Sequence, residues 1–234
     1  MGSYGQAASF PAEAEAAFRA LLAAPEFPCL GAKAALSAGS VFVRTYEDLG
    51  TERDSLALAR DLRVFIESEV GQRSDYLSFA AIFHQPREQS EEQFEEALWR
   101  QLRKINRIDA ASGADWDPAV AADPRDPHFC YSFAGHAFYV IGMHANSSRL
   151  ARRFTWPTLV FNLHEQFERL RSEEKWQHMQ ETIRAREIDF EGSVNPMLSD
   201  FGQQSEARQY SGRAVEDNWE APFVAAQEKD EGAA

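Results

Sequence analysis

The sequence predicts a single α+β domain: a mixed or antiparallel sheet of five or six strands, including a hairpin near 129–143, flanked by helices. Three observations predict it. Period-two apolar runs recur along the chain, in SVFVRTYEDLG, YLSFAAIF and WPTLVFNLH. Between them lie segments whose apolar residues return every three or four positions, as on one face of a helix. Two aromatic β-runs also meet at Gly135-His136, a plausible two-residue hairpin turn. A length of 234 residues suits one domain. Residues 11–223 read as its folded body, with 1–10 and 224–234 as disordered termini.

In chain order, AEAEAAFRALLA (12–23) reads as a short amphipathic helix ended by Pro25, since proline disfavours helix in the residue before it. The first strand puts Val41, Val43 and Thr45 on one face and Phe42, Arg44 and Tyr46 on the other. Asp54 is the expected cap of a helix carrying Leu58, Leu62, Phe65 and Ile66. In the second strand Leu77, Phe79, Ala81 and Phe83 share a face, and Pro86 ends the ladder. Ser90 and Gln93 form a capping box for a helix with Phe94, Leu98, Leu102 and Ile105 in one stripe. Residues 109–127 are a loop-rich connector with three Asp-Pro steps, anchored by Trp116 and long enough to serve as a cover.

The turn at Gly135-His136 sets Phe133 opposite Phe138, Tyr131 opposite Val140 and Phe129 opposite Gly142. Parity then puts His144 on the side of Phe138, Val140 and Gly142, just past the strand end. A further strand carries Leu159, Phe161 and Leu163 on one face, with Asn162 and His164 on the other. Helices EQFERLR and EEKWQHMQETIRAREI follow, the second turning Trp176, Met179 and Ile183 inward, with Arg186 or Glu187 beside them. Residues 192–213 form a polar segment suited to lining a site.

Composition excludes several function classes. The formal charge is −13, from 24 basic and 37 acidic residues, a field that repels nucleic-acid phosphates and anionic lipid. No apolar run approaches the ~20 residues that span a bilayer. The first ten residues lack the features of a secretory signal, and position 6 is Gln where a myristoylation site requires Ser or Thr. Cys29 and Cys130 are the only cysteines, which fits free thiols in a reducing cytoplasm. The aromatic share of 12%, led by 17 Phe, suits a core that encloses something flat. Common zinc, nucleotide and dinucleotide motifs are missing.

Four groups of residues are left to carry chemistry. Cys29 reads either as a thiolate, with Lys33 nearby to lower its pKa, or as a buried small thiol. His144 leaves an aromatic floor two residues after Gly142, where a planar ligand has room. Arg149, Arg152 and Arg153 share a face if helical and suit haem propionates or a substrate carboxylate, or else pair with this chain's own acids. His144, His164 and Glu165 form a weaker alternative, a non-haem metal set. Together, aromatic wall, strand-end histidine, thiol and arginines describe a non-covalent haem pocket, since no C-x-x-C-H attachment is present.

Five segments in one order carry a resemblance: FPCLGAKAAL (27–36), the Asp-Pro connector leading to FCYSFAGHAFYVIGMH, SSRLARRF (147–154), FNLHEQFERLR (161–171) and NPMLSDFGQQSEARQYSGR (195–213). Over residues 18–223 the chain resembles the YqcI/YcgG family, and within it the guanitoxin-pathway branch of haem-dependent guanidine N-hydroxylases. Two positions depart from that pattern: Ala145 and Leu163 stand where proline is usual. The resemblance implies b-type haem, dioxygen, an external electron donor and a small guanidino substrate such as L-arginine, oxidised to N–OH in the cytoplasm. The resemblance fixes no iron ligand; we rank His144 first, which aligns with a motif histidine, His164 second and Cys29 third, and assign Arg149, Arg152 and Arg153 to propionates or the substrate carboxylate. A guanidinium needs a carboxylate partner, for which Glu165, Asp200 and Glu206 are the candidates. The alternatives are a non-catalytic haem sensor or carrier, and a non-haem metal or thiol enzyme.

Overall fold

A computed structural model describes residues 9–70, 76–172 and 175–226, without the side chains of 172, 175 and 176. The expected disorder of 1–8 and 227–234 and the inward Trp176 therefore lie outside the described residues. The expected α+β fold is present: one five-stranded mixed sheet with helices on both faces. Strands β1 (Val41–Asp48), β2 (Ser78–Gln85), β3 (Tyr131–Phe133), β4 (His136–Met143) and β5 (Thr158–Leu163) lie in the order β1-β2-β5-β4-β3. Only β1 and β2 are parallel, and helix α3 (Glu52–Glu69) supplies the crossover that a parallel pair requires.

The two faces are filled differently. Phe79, Ala81, Phe83, Leu159, Phe161, Phe138 and Val140 pack against α3 and α4 (Glu91–Ala111), whose stripes of Leu58, Leu62, Phe65 and Phe94, Leu98, Leu102 complete the main core. The other face carries Val41, Val43, Ala80, Ile82, Met143 and Val160 under α1 (Phe10–Ala23) and α2 (Leu30–Ser37). Helices α5 (His164–Ser172) and α6 (Lys175–Glu191) complete the set. Among the described residues no helix is long and apolar enough to cross a membrane.

Several local expectations are corrected. The hairpin turns at Ala134-Gly135 rather than Gly135-His136, both with positive φ (50° and 75°), the requirement of a type I′ turn. Phe133 therefore pairs with His136 and Tyr131 with Phe138. The register moves by two residues, so every side chain keeps its expected face. Thr51 caps α3, and Asp54 instead accepts from the Asp48 amide at 2.7 Å. The termini are tied in further than expected: Phe10 begins α1 and stacks on His84 at 4.5 Å, and the Ala226 amide donates to Asn106 at 2.7 Å. The Ser90–Gln93 capping box forms as expected.

Candidate functional site

The register that fixes the sheet also grades its α1/α2 face from polar to apolar. Ser78, Asn162 and Tyr139 are cross-strand partners in one row; the next is Ala80, Val160 and Ile141, and the next Ile82, Thr158 and Met143. Rows two residues apart are separated by about 6.6 Å. Over this face lies a cavity of ≈ 310 Å³, roofed by Phe18 and Leu22 of α1, Cys29 and Ala32 at the start of α2, and Met179, Ile183 and Glu187 of α6. Asn195, Leu198, Glu206 and Gln209 close its flank. The 109–127 connector contributes nothing to its lining. Instead Trp116 anchors it on the opposite side, against Phe129, Tyr131 and Phe223.

Cys29, Arg152 and Glu206 line this cavity. Cys29 is the N-cap of α2, and its Sγ accepts from the Ala32 amide at 3.4 Å. Burial pushes the thiol pKa up, while the Ala32 and Gly31 amides and the Arg152 guanidinium pull it down. The Arg152 guanidinium is 8% exposed and donates to two carbonyls, Gly142 O at 3.1 Å and Gln209 O at 3.4 Å. Burial lowers its pKa to about 10, against the opposing fields of Glu187, Cys29 and Glu191. No carboxylate pairs with it directly among the described residues, so its charge is available to a ligand anion. Glu206 is 5% exposed, its carboxylate bonded to the Gln209 amide. Burial raises its pKa to about 7, with Gln209 and Arg171 opposing. Glu187, expected only as an inward-facing residue, also lines the cavity, with Oε2 buried and without a hydrogen bond.

The structure does not bring the remaining candidates to the cavity. His144 follows Gly142 onto the α4 face and stacks on Phe94 with centroids 4.4 Å apart. The room expected above Gly142 is filled: a Cβ there would meet Tyr210 O at 2.6 Å, Phe94 at 2.7 Å and Leu98 at 2.8 Å. The pocket wall anticipated around His144 is therefore a packed core, and burial holds its imidazole neutral by lowering its pKa. His164 sits on the cavity side but behind a screen, its ring 5.2 Å from Tyr139 and 4.7 Å from Phe201. Burial lowers its pKa too. Because the two histidines lie on opposite faces of the sheet, His144, His164 and Glu165 do not assemble. Among the described residues no group of three or more His, Cys, Asp or Glu is placed to hold a metal ion.

The arginine cluster also divides. Leu150–Arg152 is a 3₁₀ turn rather than an α-helix, which sends the three guanidinium groups in different directions. Arg149 pairs with Glu187 and Glu191, each at 2.7 Å, while exposed Arg153 donates to Ser147 O at 2.6 Å. Glu165 is exposed beside Arg169 at 3.9 Å. Asp200 is exposed near the cavity, accepting from Gln180 at 2.7 Å. The polar row was legible only in part, in the interruption of an otherwise apolar strand by Asn162. Partnering it with Ser78 and Tyr139 needs the sheet order.

The residues present fit a haem-type group on their donor chemistry: a cavity-lining thiol with backbone amides aimed at it, apolar rows for a flat ring, and a buried arginine for an anion. The model of the YqcI/YcgG family matches residues 18–224 of the chain. No curated protein and no solved structure matches it.

Proposed function

The chain belongs to the YqcI/YcgG family, and from that premise we propose that it is a haem-dependent N-hydroxylase acting on a guanidine nitrogen of L-arginine or a related compound. The observation that carries this reading is the graded cavity, with Cys29 and Arg152 lining it together with a buried carboxyl at Glu206. Haem, when bound, supplies the activation of dioxygen with electrons from an external donor. The net change consumes a guanidine N–H, dioxygen, two electrons and two protons, and yields N–OH and water.

In this reading Cys29 is the iron ligand. It lines the cavity where neither His144 nor His164 does, and the Ala32 and Gly31 amides and the Arg152 guanidinium favour its thiolate form against burial, which raises the thiol pKa. Arg152 meets a propionate, its guanidinium held by the Gly142 and Gln209 carbonyls. The Val160 and Ile141 row, with Phe18 and Leu22 above it, would exclude water from a bound haem. Glu206 receives the guanidinium, and Asn162 and Tyr139 orient it.

The test is turnover by purified protein loaded with haem and supplied with dioxygen, a reductant and L-arginine. The expected outcome is an N-hydroxyguanidine product from wild type and loss of haem absorbance and product from Cys29→Ala. Haem absorbance without product over a panel of guanidino compounds would point to a sensor or carrier. Colourless protein that haem does not titrate would favour thiol chemistry at Cys29.

A further inference from the structure

Glu206 begins the 3₁₀ turn Glu206–Gln209, which Ser205 caps through the Ala207 amide. The turn holds the carboxyl, 5% exposed, against the polar end of the cavity. Its side-chain partner is a neutral amide, Gln209. Arg171 acts on it only through space, since that guanidinium already binds Glu168 and the Tyr139 hydroxyl. The other titratable groups that face it are the Tyr139 and Tyr210 hydroxyls and the Cys130 thiol. All three are held neutral by burial, so none supplies a countercharge. No cation lies within ion-pair distance of Glu206 among the described residues. A carboxylate so placed is costly, and the group takes up a proton instead.

A planar cation entering the cavity changes that balance. We propose that the polar end of the cavity is a proton-coupled cation site, where an arriving guanidinium group drives the Glu206 proton out to solvent. This rests on the guanidine reading of the site and adds its linkage to pH. The exchange balances as a carboxylic acid plus a guanidinium giving an ion pair plus one proton to buffer. The Ser78–Asn162–Tyr139 row adds polar groups along the plane of such a cation. The direction is fixed by which form of Glu206 is occupied before binding. Below about pH 7 the acid predominates, so binding releases a proton and weakens as pH falls; well above it the carboxylate is already formed and the dependence vanishes.

Titration calorimetry of the purified protein with L-arginine and with agmatine, in two buffers of different ionisation enthalpy, reads the released proton directly. Neither probe titrates between pH 6 and 8. The expected result is near one proton released per cation at pH 6 and about a tenth of a proton at pH 8, with affinity rising about tenfold between them. Gln209→Met, which removes the amide donor, moves the midpoint to higher pH, and Glu206→Gln abolishes both proton release and pH dependence. Binding without proton exchange at pH 6, or no binding of either probe at any pH, overturns the proposal. Haem absorbance and turnover are separate readouts: a colourless protein that still exchanges a proton for a cation sinks the haem reading alone.

Discussion

At the scale of single residues, Gly142 and His144 show how the same local pattern serves two ends. Glycine before a strand-end histidine leaves space, and that space can admit a ligand or another part of the chain. Here Tyr210 fills it: the Gly142 amide donates to Tyr210 O at 2.7 Å, and the Phe94 and Leu98 side chains close over the rest. The fit leaves no margin. Gly142→Ala is expected to lose about 3 kcal/mol of stability, the upper end of ordinary overpacking, because one of the clashing atoms is a backbone carbonyl. Denaturant unfolding checks this; a midpoint equal to wild type would show that the 210 segment is free to move away. Sequence parity put His144 on the correct face, but parity does not say which face is hollow.

At the scale of elements, the hollow follows from which helices have stripes strong enough to fill a face. Helices α3 and α4 carry long continuous stripes, both legible in the sequence, and they pack one side of the sheet solid. Above the other side stand two shorter helices and α6, whose inward face mixes Met179 and Ile183 with Glu187. Strand faces and the capping box could be read from periodicity because they are local properties. The strand order, the type I′ turn at Ala134-Gly135 and the splitting of the arginines could not, since each depends on partners distant in sequence or on the 3₁₀ geometry of 150–152. That turn is bound to α6 through Arg149, which meets Glu187 and Glu191. Arg149→Ala leaves two buried carboxylates without their cation and is expected to cost about 3–5 kcal/mol. Thermal unfolding tests it, with Arg149→Lys recovering part of the loss. An unaltered transition in the alanine variant would mean the seam between the turn and α6 contributes little.

At the scale of the whole molecule, the sheet divides labour between its two faces. The α3/α4 face supplies the cohesion, extended by the C-terminal segment that lays Phe223 beside Trp99, Trp116 and Tyr131. The α1/α2 face forgoes some of that burial to enclose a cavity, graded from an acid at one end to apolar rows bordered by Cys29 and Arg152. An acidic chain of charge −13 thus keeps a buried arginine facing the cavity, with no direct carboxylate partner among the described residues, where it can meet a ligand anion. In the proposed function, haem binds on this face through Cys29. The absorption spectrum of the haem-loaded protein, reduced under carbon monoxide, decides whether it does. The expected spectrum carries the long-wavelength Soret band of thiolate-ligated iron, lost in Cys29→Ala and retained in His144→Ala; a shorter-wavelength band of imidazole ligation that survives in Cys29→Ala would show that a histidine holds the iron instead.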